Sequence, residues 1–319
     1  MLIRFWGTRG SLPVALNGAA IREKLRAAIL AAQGRQFDGP EAVDRFIAEE
    51  LPLSVAGTYG GNSSCVEIAG EGDEFVVCDL GSGARPFGLR ALMDNGPAKP
   101  RRYNIFMSHV HWDHIMGFPF LPAAYIPGNV IRIHGCHKVL REAFERQQSD
   151  PCFPVDFRTL PATIEFVELE PGRSYDVAGY TVRAILQNHH GDSYGYRFER
   201  GGKTMVYSTD CEHKFQVLDA TYPFADFYRD ADVLIFDAMY SLADSISVRH
   251  DWGHSSNMVA VELAQLAGVK HLVLYHHEPM YDDRTIETIL GETRRYEEIS
   301  RGARELKITS AYDGLEIAL

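Results

Sequence analysis

The sequence predicts an α/β fold in which mixed sheets are flanked by helices. Three observations predict it. Short apolar segments bounded by glycine recur along the chain, the mark of strands. Apolar residues at helical spacing recur between and after them, and that interleaving indicates layered sheets and helices. The 319 residues are 45% hydrophobic and 24% charged, ordinary globular values that exclude a disordered or fibrous chain.

The elements follow in order. Ile3–Trp6, Cys65–Ala69 and Phe75–Asp79 read as strands, and Tyr103–Met107 is an apolar run that ends in a histidine-rich loop. Further strands are expected at Val130–His134, Ile164–Glu168, Tyr180–Leu186, Tyr194–Glu199, Thr204–Ser208, Val233–Phe236 and His271–Tyr275, with Lys307–Ser310 and Leu315–Ala318 closing a sheet edge. Helices are expected over 137–147, 256–267 and 281–300; in the last, Ile286, Ile289, Leu290 and Ile299 recur at helical intervals. No internal repeat is visible, and residues 1–319 read as one domain.

Residues 14–54 interrupt this order. Ile21, Leu25, Ala28, Ile29 and Ala32 share one helical face, Gly34 and Gly39-Pro40 break it, and Val43, Phe46, Ile47 and Leu51 resume it. The segment reads as an inserted helical hairpin. Short amphipathic helices are marginal alone, so its apolar faces are expected to be buried, at an active-site mouth or a dimer contact.

Lys plus Arg number 32 and Asp plus Glu 43, a formal charge of −11. That balance disfavours long nucleic acid as a partner. No apolar run reaches the roughly 18–20 residues that span a bilayer. The opening MLIRFWGTRGSLP has no leader pattern, so no membrane partner and a cytoplasmic location are expected. The five cysteines are odd in number and show no CxxC spacing, which points to reduced thiols and not to a disulfide framework or thiolate zinc site.

The chemistry concentrates in Ser108-His-Val-His-Trp-Asp-His114. In an extended segment, i, i+2 and i+4 share a side, so His109, His111 and Asp113 converge, and His114 swings across once the chain turns. Imidazole and carboxylate suit zinc and other borderline divalent ions. Four ligands so close do not easily all serve one tetrahedral ion, which suggests two adjacent ions. More ligand-type residues stand at predicted strand ends: His189 and His190, Asp210, and His276 and His277.

HVHWDH resembles the HxHxDH signature of the metallo-β-lactamase-fold hydrolases. Asp79-Leu-Gly-Ser-Gly83, His189, Ser208-Thr-Asp210, Gly253-His-Ser-Ser256 and Leu274-Tyr-His-His277 follow in that family's order, and the ending resembles its phosphodiesterase and tRNase Z-like branch. The resemblance implies an αββα sandwich of two mixed sheets with metals at one sheet edge. It implies His109, His111 and His189 on a first ion, Asp113, His114 and His276 on a second, and Asp210 bridging them. His189 is preferred because His190 stands where relatives often have proline, and His276 because it is the first residue past its strand. Asp79 reads as a residue that orients a ligand, or as a turn residue before Gly81. His254 matches a histidine beside the leaving group, a general acid near neutral pH. Asp237, with Asp113, completes the implied catalytic set, although Asp237 stands where relatives carry glutamate. Ser255 and Ser256 read as a helix cap able to face a phosphate.

The function so implied is hydrolysis of a small phosphodiester by a hydroxide shared between two divalent ions, zinc first, manganese or iron also compatible. Carboxylic-ester, lactone or β-lactam hydrolysis on the same metals, and tRNA 3′-end cleavage, are the alternatives. Asp210 argues against typical zinc β-lactamases, which carry cysteine there. The arm by which tRNase Z-like enzymes grip tRNA has little room, because His189 and Asp210 are only 21 residues apart.

Overall fold

Two sheets form where β-branched and aromatic residues cluster between turns. The computed structural model describes residues 1–69, 74–96, 99–214, 219, 221–246, 251–302 and 304–319. The first sheet contains β1 (Leu2–Gly7), β2 (Cys65–Ala69), β3 (Glu74–Cys78), β4 (Arg102–Phe106), β5 (Val130–Gly135), β6 (Thr163–Glu168) and β14 (Glu316–Ala318), in the order β14-β1-β2-β3-β4-β5-β6. The second contains β7 (Ser174–Val177), β8 (Tyr180–Leu186), β9 (Tyr194–Arg200), β10 (Lys203–Ser208), β11 (Val233–Asp237), β12 (His271–Tyr275) and β13 (Lys307–Ser310), in the order β13-β12-β11-β10-β9-β8-β7.

Counted from β14 and from β7, the two sheets share one scheme: three antiparallel pairings, then three parallel ones. The sequence shows no repeat, yet the fold has one. Pairing depends on which faces are buried, and many sequences satisfy one burial pattern. The predicted closing strands accordingly part company, β13 joining the second sheet and β14 the first.

Ile3, Phe5, Val66, Phe106, Tyr196, Met205, Tyr207 and Tyr275 fill the space between the sheets. In chain order the helices are α1 (Gly18–Ala31), α2 (Pro40–Arg45), α3 (Leu53–Ala56), α4 (Ala84–Asn95), α5 (Trp112–Ile115), α6 (Leu140–Gln147), α7 (Pro223–Phe227), α8 (Leu242–Ile246), α9 (Asn257–Leu266) and α10 (Asp283–Ser300). Phe87 and Ala91 of α4 and Phe144 of α6 pack on the outer face of the first sheet. Phe224 of α7, Leu263 of α9 and Leu290 of α10 pack on that of the second. The result is the αββα sandwich.

Several elements depart from the sequence reading: β7, α5, α7 and α8 were not expected, nor was α4, and the insertion packs differently. Helix α4 is hidden by Pro86, tolerated in a first turn, and by Gly88, where a Cβ would stand 2.6 Å from Pro122 Cδ. The insertion is helical, with α2 continuing into a π-helical turn at Phe46–Glu50 in which Phe46 is buried, but the large apolar residues of α1 are not buried. Ile21, Leu25 and Ile29 are 46%, 58% and 70% exposed. Helix α1 attaches instead through Lys24, whose ammonium donates to the carbonyls of Ser54 and Gly57 and pairs with Asp283. Among the described residues, no helix is long and apolar enough to cross a membrane.

Candidate metal centre

The C-terminal ends of β1, β3, β4, β8, β10, β11 and β12 meet at one edge of the sandwich, and each contributes a polar residue, β11 from its own last position (Asp237) and the others from the loop that follows. Asp79, Asp210 and His276 stand there with φ of 59°, 42° and 62°. That left-handed region costs an L-residue on the order of 1–2 kcal/mol and turns each side chain off its strand into the site.

Asp210 lies at the middle of the ligand set. Its Oδ2 is 3.6 Å from His109 Nε2 and 3.7 Å from His189 Nε2, while His189 Nε2 is 3.2 Å from His111 Nδ1. Its Oδ1 is 3.3 Å from both His114 Nε2 and His276 Nε2, and these lie 3.3 and 3.4 Å from Asp113 Oδ2. Ligand bonds of about 2.1 Å put the corners of a tetrahedral shell roughly 3.4 Å apart. The Nε2 atoms of His109 and His114 are buried and make no hydrogen bond. Orphaned buried donors are rare in folded proteins, so these residues fit a metal. The residues not chosen in the sequence reading point elsewhere: His190 is exposed, and His277 Nε2 bonds Ala311 O at 2.9 Å.

The charge states fit as well. Burial, then the neighbouring imidazoles, hold His109 well below its usual range, and burial also lowers His111 and His189. Burial raises the Asp113 and Asp210 carboxyls, but the adjoining histidines outweigh it and hold both well below the usual range. His114 is the converse: burial lowers it, yet Asp210, Asp113 and Asp79 together raise it well above its usual value. Three carboxylates around one buried ring call for a cation, which a divalent ion supplies better than a proton.

Partners behind the ligands fix their tautomers. Asp79 Oδ2 accepts from His114 Nδ1 at 2.7 Å, Ser108 Oγ at 2.7 Å and Tyr207 OH at 2.8 Å, so Asp79 holds the His114 ring and is more than a turn residue. His189 Nδ1 donates to Gly253 O at 2.8 Å. Ser11 N–H, which the sequence reading did not single out, donates to Asp113 Oδ2 at 2.8 Å. Gly10 packs on the His276 ring so closely that a Cβ would stand 2.7 Å from it. The only signal for either was the Gly-Ser pair just after β1.

His254 Nδ1 lies 2.8 Å from Asp237 Oδ2, which also accepts Cys211 N–H at 3.0 Å. Aspartate therefore reaches the ring despite its short side chain. Burial lowers His254, but Asp237 first, then Asp210 and Asp113, raise it to about 9. The His254 ring is centred 5.0 Å from His189 and 5.1 Å from His276. The side chains of the two serines that follow are both engaged within the fold. Ser255 is buried between Cys211 O and His213 N–H, and Ser256 is buried as the cap of α9.

The profile of the Beta-lactamase superfamily domain matches residues 78–277. The chain belongs to that superfamily. The fold repeats in a metallo-beta-lactamase fold protein of Bacillus subtilis, at TM-score 0.63 and 16% identity over 99% of this chain and 98% of that one. It also repeats in the human short-form tRNase Z, at TM-score 0.61 and 20% identity over 100% and 99%. Among curated relatives, Ribonuclease Z of Methanosarcina acetivorans is 28% identical over 77% of this chain and 93% of its own. Ribonuclease Z of Thermoplasma acidophilum is 25% identical over 60% and 74%. With its His/Asp clusters, this superfamily member is a metal-dependent hydrolase.

Proposed function

We propose that the protein hydrolyses phosphodiesters with two divalent ions, zinc foremost, held by His109, His111 and His189 on one side and Asp113, His114 and His276 on the other. The observation that carries this reading is the division of Asp210 between two ligand groups, one carboxylate oxygen to each. When bound, the metals polarise a phosphoryl oxygen and lower the pKa of coordinated water.

The chain's own residues do the rest. Asp237 holds the Nδ1 proton of His254, so the Nε2–H of the imidazolium is the one available to a departing alkoxide oxygen. Asp79 and Gly253 keep His114 and His189 in the tautomers that present Nε2. Ser11 N–H holds Asp113 in place. We take residues 1–319 as one domain, cytoplasmic, with 14–54 as an insertion. The exposed stripe of α1 favours a homodimer, checked by light scattering with and without Leu25→Glu.

Two observations bear on substrate size. The chain between His189 and Asp210 is used up by the β9–β10 hairpin and its Gly201-Gly202 turn, which leaves no arm there and supports a small diester. The relatives named Ribonuclease Z support tRNA as the second reading and weigh against the expectation, drawn from net charge and the short span between His189 and Asp210, that long nucleic acid is disfavoured as a partner. Metal analysis with a panel of bis-p-nitrophenyl phosphate, cyclic nucleotides and pre-tRNA tests both. About two metals per chain and cleavage of a diester are expected. One metal, or activity on esters and lactones alone, would overturn the reading.

A further inference from the structure

We propose that Gln187 is a positioning residue of the metal centre: its side-chain amide holds the backbone on both sides of Asp210 and so sets where the shared carboxylate stands. This rests on the reading of Asp210 as a ligand common to two ions, and not on the reaction they support. Asp210 stands in the left-handed region at φ 42°, a conformation that persists in an L-residue only where its surroundings impose it. The carboxylate cannot drift far, because its oxygens lie 3.3 to 3.7 Å from the Nε2 atoms of His114, His276, His109 and His189. Something must therefore fix the backbone that carries it.

Gln187 is buried just past the end of β8. Its Nε2 donates to the carbonyls of Thr209 and, at 3.3 Å, of Asp210, the peptide groups before and after the Asp210 Cα. Its Oε1 accepts from Ser208 Oγ at 2.6 Å. With that proton spent, Ser208 Oγ accepts from Tyr228 OH at 2.6 Å, and Tyr228 OH accepts from His213 Nε2 at 3.4 Å. His213 Nδ1 then accepts from Tyr222 OH at 2.8 Å. Donation runs in one direction along this buried chain, and it decides which end of the amide faces the two carbonyls. The backbone carbonyl of Gln187 also accepts His189 N–H at 3.0 Å, so one residue seats two ligands. Beyond Asp210 the loop is held separately, Cys211 N–H by Asp237 and His213 N–H by Ser255.

Only a group that accepts at one end and donates twice at the other closes this chain, and an amide is that group. An apolar side chain would leave the buried carbonyls and the Ser208 hydroxyl with a partner missing. The space for the amide is made by Gly195, which pairs with Ile185 across β8 and β9. A Cβ at Gly195 would stand 2.4 Å from Gln187 Oε1, and that atom, at the far end of a flexible side chain, would have to move.

The test measures zinc affinity by chelator competition, with melting of the metal-free protein beside it, for the wild type, Gln187→Met and Gly195→Ala. Gln187→Met keeps the length of the side chain and removes both polar functions. Gly195→Ala keeps the amide and displaces it, and it decides the matter should Gln187→Met not fold. Both variants are expected to hold zinc roughly tenfold to a hundredfold more weakly, the loss that follows removal of partners behind metal ligands. The two ions should weaken together, because Asp210 is shared between them. A role in stability alone would lower the melting of the metal-free protein and leave zinc affinity unchanged; that result, or weakening of one ion only, would overturn the proposal. A wild type that binds a single zinc would overturn the two-ion reading. Weaker binding of that single ion in the variants would still uphold the role of Gln187, and unchanged binding would overturn it as well.

Discussion

Replacing Asp237 by asparagine removes the charge that keeps His254 protonated while preserving the side chain's size and one acceptor oxygen. His254 sits near 9 because carboxylates, Asp237 foremost, overcome burial. Metals bound to Asp113 and Asp210 neutralise those two contributors, so Asp237 carries most of the support in the loaded enzyme. Without it, burial takes the ring to its ordinary value of about 6.5 or below. At pH 7.5 the protonated fraction of a ring at 6.5 is about one tenth. Turnover of diesters with basic alkoxide leaving groups should fall at least about tenfold, toward the 10²–10⁴ that a general acid contributes. Nitrophenyl esters, whose leaving group needs no proton, should be nearly unaffected. The assay is the pH profile of kcat/KM for a nucleotide diester beside bis-p-nitrophenyl phosphate, with thermal melting to show that Asp237→Asn is folded. The alkaline limb should move to lower pH than in the wild type. An unmoved limb, or equal losses on both substrates, would refute the assignment of His254 as the acid and make it a metal ligand or binding group.

Gly10→Ala places a methyl 2.7 Å from the His276 ring; overpacking of this kind costs ~1–3 kcal/mol, and metal analysis should show loss of the ion held by His276 before the other. Acid should destabilise the fold through His134, His213 and His271, which burial lowers to about 4, 3 and 4. Their folded values lie below the unfolded one, so the unfolded chain binds protons first: stability is intact above about pH 6.5 and falls as pH drops below it. Urea midpoints between pH 7.5 and 5 check this, and a flat profile would refute it. Deleting residues 18–50 with a short glycine linker should leave metal content intact and change substrate range or oligomeric state; a folded variant without metal would make the insertion part of the site.

The sequence by itself determined most of the strands, the His/Asp cluster of HVHWDH and the strand ends that carry His189, Asp210 and His276. These are local features. Period-two burial writes strands into the chain, and ligands within six residues share one backbone geometry. Only the tertiary structure decided which distant groups meet. Asp79 reaches His114, Ser11 reaches Asp113 and Gly253 reaches His189 because sheet order, which single-strand patterns do not encode, brings the ends of β1, β3, β4 and β8 to one edge. The repeated pairing of the two sheets was invisible for the same reason. Helix α4 was hidden because Gly88 answers to a neighbour, Pro122, and not to helix propensity. The stripe on α1 was legible as apolar, but its exposure was not, because a pattern records that a face is apolar and the rest of the fold decides whether anything covers it.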